Sequence, residues 1–191
     1  AARRGAIVVV ASRNLEKLQE VAKKCLILSG RPAFAYQLDV TDPDQIDDVL
    51  SKVQHEVGGI DVLINSAGLG DFIPVVKESY RSMEKMVHTN LLALMYISRC
   101  VAKQMMDQGY GAIINMGSLA GKLPTPNSAV YSATKAGVIQ FDNVLRMEVA
   151  DYGVQVLTVL AQLIHLSLIK QIMIIRIGPI YQNGCLSLLK T

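Results

Sequence analysis

The chain has 191 residues, 51% of them hydrophobic and 18% charged. That length suits a single domain of about 100–200 residues, and the composition excludes a disordered or acidic solvating chain. Nineteen basic residues against sixteen acidic give a net charge of +3, scattered along the chain rather than striped, which excludes a nucleic-acid footprint.

Taken in order, Ile7–Val10 is a short Val-rich run and reads as a buried strand. Asn14 can cap a helix on which Leu15, Leu18, Val21, Ala22 and Cys25 keep 3.6-residue spacing, and Gly30-Arg31-Pro32 breaks it. Phe34–Leu38 is a second strand. Thr41-Asp42-Pro43 opens a helix, since proline at its first position costs no hydrogen bond; Ile46, Val49, Leu50 and Val53 form its apolar face, and Gly58-Gly59 ends it. Val62–Ile64 is a third strand and Ala112–Asn115 a fourth, separated by a long helix over residues 82–108. A further helix runs from Tyr131 to Tyr152 and stops at Gly153, and Val154–Val159 is a fifth strand. Strands alternating with helices predict an α/β fold, a doubly wound and mostly parallel sheet in one domain over 1–191.

All sixteen acidic residues lie at or before Asp151, and beyond it only Lys170, Arg176 and Lys190 are charged. Most positions between Val154 and Ile180 are apolar. Gln155, Gln162, His165, Lys170 and Arg176 interrupt the run, so buried strands or a core helix are expected there; membrane attachment is the alternative. Cys25, Cys100 and Cys185 form no Cys-x-x-Cys pair and no even disulfide set, which points to a reducing compartment, the cytoplasm. No secretory signal is visible behind Arg3 and Arg4. His55, His88 and His165 lack metal-ligand spacing, so no metal is expected.

Four patterns stand at the carboxyl ends of the predicted strands, where open α/β sheets bind ligands. They are Asp39-Val40, Asn65-Ser66-Ala67-Gly68, Ser118 after Ile114-Asn115-Met116-Gly117, and Tyr131-Ser132-Ala133-Thr134-Lys135 at a helix start. Tyr131 and Lys135, four apart, share a helix face, where an ammonium close to a phenol favours phenolate and lowers a pKa that starts near 10. Such a tyrosine serves as general acid or base at a carbonyl oxygen, and Ser118 could bind the same oxygen. The plainer alternative for the pair is a surface tyrosine and a solvated lysine. Asn90 falls within an apolar stripe of Met83, Met86, Val87, Leu94, Ile97 and Val101. A buried amide must be satisfied, so it is either part of a site or a partner for nearby backbone groups.

In this order and at these intervals the patterns resemble the short-chain dehydrogenase/reductase family over residues 6–159, with Asn-Ser-Ala-Gly standing for the family's Asn-Asn-Ala-Gly. The resemblance implies a Rossmann-like fold and hydride transfer between a nicotinamide cofactor and a carbonyl or secondary alcohol. It makes Tyr131 the catalytic acid/base, with Lys135 tuning it and contacting the nicotinamide ribose, Ser118 positioning the carbonyl and Asn90 supporting a proton-relay water. Asp39 and Val40 would contact the adenine, and Asn65, Ala67 and Gly68 would line the cofactor cleft. Where NAD-specific members carry an acidic residue after the strand, this chain has Ala11-Ser12-Arg13. With no carboxylate to repel a 2′-phosphate and both a hydroxyl and a guanidinium to bind one, NADP(H) is favoured over NAD(H); the alternative for Arg13 is a solvated helix-start residue. The family also implies a homodimer or homotetramer through the 82–108 and 131–152 helices.

Two family elements are missing from the pattern. No Gly-x-x-x-Gly-x-Gly loop occurs, and the chain starts about where the helix after that loop would end. The lost strand would be central, between those at 7–10 and 62–64, leaving two unpaired interior edges. After the fifth strand Leu160-Ala161-Gln162 replaces the family's Pro-Gly turn, and Gly178-Pro179-Ile180 occurs only beyond an apolar tail (160–191) of no family likeness. Gln171–Ile177, β-branched and apolar, is expected to insert as a surrogate strand. The readings are therefore an NADP(H)-dependent oxidoreductase acting on a small carbonyl or alcohol, or a truncated, non-catalytic family member unable to bind cofactor.

Overall fold

The structure is a computed structural model and describes residues 1–161 and 172–176. The strands are β1 (Ile7–Ser12), β2 (Ala33–Gln37), β3 (Val62–Asn65), β4 (Gly111–Ser118), β5 (Val154–Ala161) and β6 (Ile172–Arg176). Local chemistry sets the helix ends. Asn14 Oδ1 accepts from the Lys17 amide at 3.0 Å to start α1 (Leu15–Ser29), which stops at Gly30 in the left-handed region. Asp42 accepts from the amides of Asp44 and Gln45 to start α2 (Pro43–Val57), with Pro43 in the first turn.

The single helix expected over 82–108 is in fact α3 (Tyr80–Val87), a π-helical turn (His88–Leu92) and α4 (Ala93–Gln108). A widened turn inside a helix is often functional, and Asn90 sits within this one. The helix expected over 131–152 is α5 (Ala129–Glu148), followed by a 3-10 turn at Ala150–Tyr152.

The six strands form one sheet in the order β2-β1-β6-β3-β4-β5. β1–β2, β3–β4 and β4–β5 pair in parallel. α2 and α4 pack on one face with Val9, Leu63, Ile113 and Ile174, and Leu18 of α1 packs on the other with Val8 and Val10. The sheet is thus wound on both sides, as the alternating pattern predicts.

The interior edges of β1 and β3, expected to stand open, are both paired. β6 lies between them antiparallel to each, with Ile172 opposite Ala11 and Asn65 and with Ile175 opposite Val8 and Val62. The expected surrogate strand therefore forms over Ile172–Arg176, while Gln171 and Ile177 fall outside the described residues, as do Gln162 and Gly178-Pro179-Ile180. Ile172, Ile174 and Ile175 are buried, and Arg176 reaches Asp61 at 2.8 Å. Among the described residues no helix is long and apolar enough to cross a membrane.

Candidate active site

The carboxyl ends of β1 to β4 bring the sequence-predicted residues to one end of the sheet. Ser118 closes β4, is buried, and its Oγ accepts from the Ala120 amide at 3.2 Å. Tyr131 and Lys135 lie on the first turns of α5 and are 3% and 4% exposed, so neither is the surface residue of the plainer alternative. Lys135 Nζ donates to the Met116 carbonyl at 2.6 Å and stands 5.9 Å from the centre of the Tyr131 ring.

The electrostatics differ from expectation. Burial pushes the Tyr131 phenol above its ordinary value, opposed by hydrogen bonding to Ser118, and burial pushes Lys135 down to about 8. A lysine was expected to draw the phenol down. Both groups lose water, however, and the ammonium is aimed at the Met116 carbonyl, so desolvation outweighs attraction between them.

Asn90 is 1% exposed. Its Oδ1 accepts from the Leu69 amide and its Nδ2 donates to the Leu69 carbonyl, each at 2.8 Å, with a further contact to Thr134 Oγ1 at 3.2 Å. The buried amide thus clamps the backbone of the loop after β3. A Cβ on Gly68 would lie 3.5 Å from Asn90 Oδ1 and 3.8 Å from Lys135 Nζ, which places all three around one point.

On the β1–β2 side lies a cavity of about 140 Å³ lined by Arg13, Asp39, Val40, Ala67 and Gly68. Lys85 and Thr89 line it too, and sequence reasoning missed them; their helical i,i+4 spacing just before Asn90 was the available signal. The Asp39 carboxyl is held below its usual range chiefly by the Thr41 amide, with help from the Thr41 hydroxyl and the charges of Arg13 and Lys85. Ser12 is not among the lining residues; its carbonyl accepts from the Leu38 amide at 2.9 Å. Asn65 is likewise absent from the lining. Its Nδ2 donates to Ser98 Oγ and Asn115 Oδ1 at 3.0 and 2.8 Å, below the floor of the site.

Residues 1–172 match the profile of the short chain dehydrogenase family. The chain belongs to that family. Among curated relatives of this short chain dehydrogenase, a ketoacyl reductase of Nostoc sp. is 36% identical over 155 residues, which are 81% of this chain and 54% of that one. An oxidoreductase of Staphylococcus aureus is 34% identical over 81% of this chain and 66% of its own length. The chain therefore spans about half to two thirds of these relatives. Among solved structures, a metagenomic short-chain oxidoreductase in complex with NADP superposes with a TM-score of 0.77 at 31% identity, covering 82% of this chain and 73% of that one. An NAD+-bound xylitol dehydrogenase also gives 0.77, at 27% identity over 81% and 59%.

Proposed function

We propose that this short chain dehydrogenase is an NADP(H)-dependent oxidoreductase that interconverts a carbonyl and an alcohol. The observation that carries the reading is the convergence of Ser118, Tyr131 and Lys135 on one end of the sheet, beside a cavity walled by Arg13 and Asp39. The residues present suit the adenosine end of the cofactor. Asp39 and Val40 offer an ionised acceptor and an apolar edge for adenine, and Arg13 offers a guanidinium for a 2′-phosphate, with Ala11-Ser12-Arg13 carrying no carboxylate directly after β1. Ser12 precedes Arg13 in the chain without lining that cavity, so the guanidinium is the group offered to the phosphate. Lys135 would contact the nicotinamide ribose. Bound nicotinamide supplies or accepts the hydride.

The chain's own residues handle the proton. Ser118 donates a hydrogen bond to the substrate oxygen, and Tyr131, a phenol that burial pushes above its ordinary value, gives its proton to that oxygen in reduction, leaving a phenolate, and as phenolate takes the proton back in oxidation. Lys135 holds positive charge beneath the phenol, and Asn90 fixes Leu69 while supporting a water in the proton path. The apolar groove of about 730 Å³ between α4 and α5, with Met95, Met106, Phe141 and Leu145 on its walls, supports a homodimer or homotetramer through these helices. Free Cys25 and Cys100 suit the cytoplasm.

One observation favours the second reading. β6 stands between β1 and β3, and no glycine-rich turn for a pyrophosphate lies between those strands among the described residues. A chain that keeps the catalytic residues without binding cofactor is consistent with that. Titrating the 191-residue chain with NADPH by nicotinamide fluorescence separates the two. Saturable binding that weakens about tenfold in Arg13→Glu supports the oxidoreductase, whereas a flat titration of a chain folded by circular dichroism transfers the conclusion to the non-catalytic reading.

A further inference from the structure

The loop after β3 carries a side chain that no sequence pattern marks. Phe72 lies edge to face on Tyr131, with ring centres 5.4 Å apart and planes at 61°. Gly70 is what admits this contact, because a Cβ there would stand 2.9 Å from Phe72 Cζ and 3.2 Å from Tyr131 Cδ2. The loop is fastened on both sides of the ring: Asn90 holds both backbone groups of Leu69, and Ser82 Oγ donates to Asp71 Oδ2 at 3.0 Å. The backbone is thus fixed while the phenyl ring stays 42% exposed.

On the Ser118 side the pattern repeats. Leu119 follows Ser118 directly and is 36% exposed, and Leu123, whose amide donates to the Leu119 carbonyl at 2.8 Å, is 60% exposed. One uncovered leucine needs no explanation. Phe72 touches Tyr131 directly, and Leu119 and Leu123 stand uncovered on the loop that leaves Ser118, so two loops that start at the candidate site each carry exposed apolar side chains.

We propose that Phe72, with Leu119 and Leu123, forms an apolar wall beside the Ser118–Tyr131 pair and selects carbonyl compounds bearing an aromatic or alicyclic group over polyols and sugars. The proposal rests on reading Ser118 and Tyr131 as the carbonyl-binding pair. A hydroxylated substituent against these carbons would give up water without gaining a partner, whereas a ring finds edge or offset contacts on Phe72.

The test uses the full chain and saturation-transfer NMR, with acetophenone and dihydroxyacetone as probes, both with and without NADPH. Acetophenone is expected to bind at least about tenfold more tightly than dihydroxyacetone. Phe72→Ala should weaken acetophenone about five- to tenfold and leave dihydroxyacetone unchanged, and Phe72→Leu should restore part of the loss, which a fold defect would not. Equal binding of the probes, binding of neither, or an equal loss of both in Phe72→Ala overturns the proposal. A flat NADPH titration with the acetophenone preference intact would instead overturn the oxidoreductase reading and leave the apolar wall standing.

Discussion

At the scale of single residues, Tyr131 and Lys135 show how one helix turn and one burial event move two acids in opposite directions. The phenol rises because its anion loses water, and the ammonium falls to about 8 because its cation does. The sequence spacing correctly put the two side by side on α5, yet spacing carries no information on depth, so the direction of the phenol's shift was not legible from it. Depth has a measurable consequence. Lys135 sits below its ordinary value of 10.5 in the folded chain, so between pH 8 and 10 the unfolded chain binds more protons and stability rises with pH. The raised tyrosine and cysteine groups act in the opposite sense as pH climbs, but they are common to wild type and a lysine variant. The unfolding free energy of wild type, measured in urea from pH 7 to 9.5, should therefore climb relative to that of Lys135→Met. Parallel curves would mean that Lys135 keeps its proton on folding much as it does in water.

At the scale of elements, a buried chain of polar side chains ties β3, β4 and β5 to α4 and α5. Thr158 Oγ1 and Asn115 Nδ2 each donate to Asp142 at 2.6 Å, Asn115 Oδ1 accepts from Asn65, and Asn65 also donates to Ser98. An ionised Asp142 can only accept, so it dictates how both amides are turned. Burial pushes its carboxyl up, and the hydrogen bonds from Thr158 and Asn115 with the charge of Arg146 push it back. Asp142→Ala would take the acceptor from the buried Asn115 and the half-buried Thr158 and should cost about 2–4 kcal/mol, while Asp142→Asn, which can accept from Asn115 and donate to Thr158, should cost about 1 kcal/mol. Urea denaturation separates these values, and equal losses would show that the carboxylate's charge, which asparagine lacks, matters rather than its shape or its capacity to be hydrogen-bonded. This network also explains a limit of the sequence reading. Periodicity and caps placed α1 and α2 well because they are local chemistry. Asn65 stands in a motif that faces the cofactor by resemblance, and only the folded sheet reveals that its amide turns toward Asn115. Lys85, Thr89 and Phe72 escaped for the same reason, since each acquires its neighbours from another element.

At the scale of the whole molecule, the sheet is complete because a strand from the far end of the chain occupies its middle. The β-branched, apolar run at 171–177 made a strand legible, but an isoleucine-rich strand reads the same in both directions, so its antiparallel sense was not. Arg176 supplies the missing polarity. In the antiparallel sense it falls opposite Ile7 at the amino ends of the parallel strands and meets Asp61, a carboxylate 2% exposed. Run parallel, the same strand would carry its arginine to the catalytic end and leave Asp61 without it. Both edges of β6 are laddered, and Ile174 is 1% exposed within the main core. Losing the arginine removes a charge-assisted hydrogen bond of 2.8 Å from the buried Asp61 side chain, so Arg176→Ala should cost about 1.5–3 kcal/mol. Ile174→Pro removes a ladder donor from a central strand and reopens the edges of β1 and β3, so the chain should aggregate or fail to fold cooperatively. Hydrogen exchange gives the gentler reading on the intact protein. The amides of Met173, Ile174 and Ile175 should exchange as slowly as those of Leu63 and Ile113, opening only with global unfolding. Fast exchange at β6 beside slow exchange at β3 would mean that the strand is a detachable insert, and that the sheet persists with its centre open.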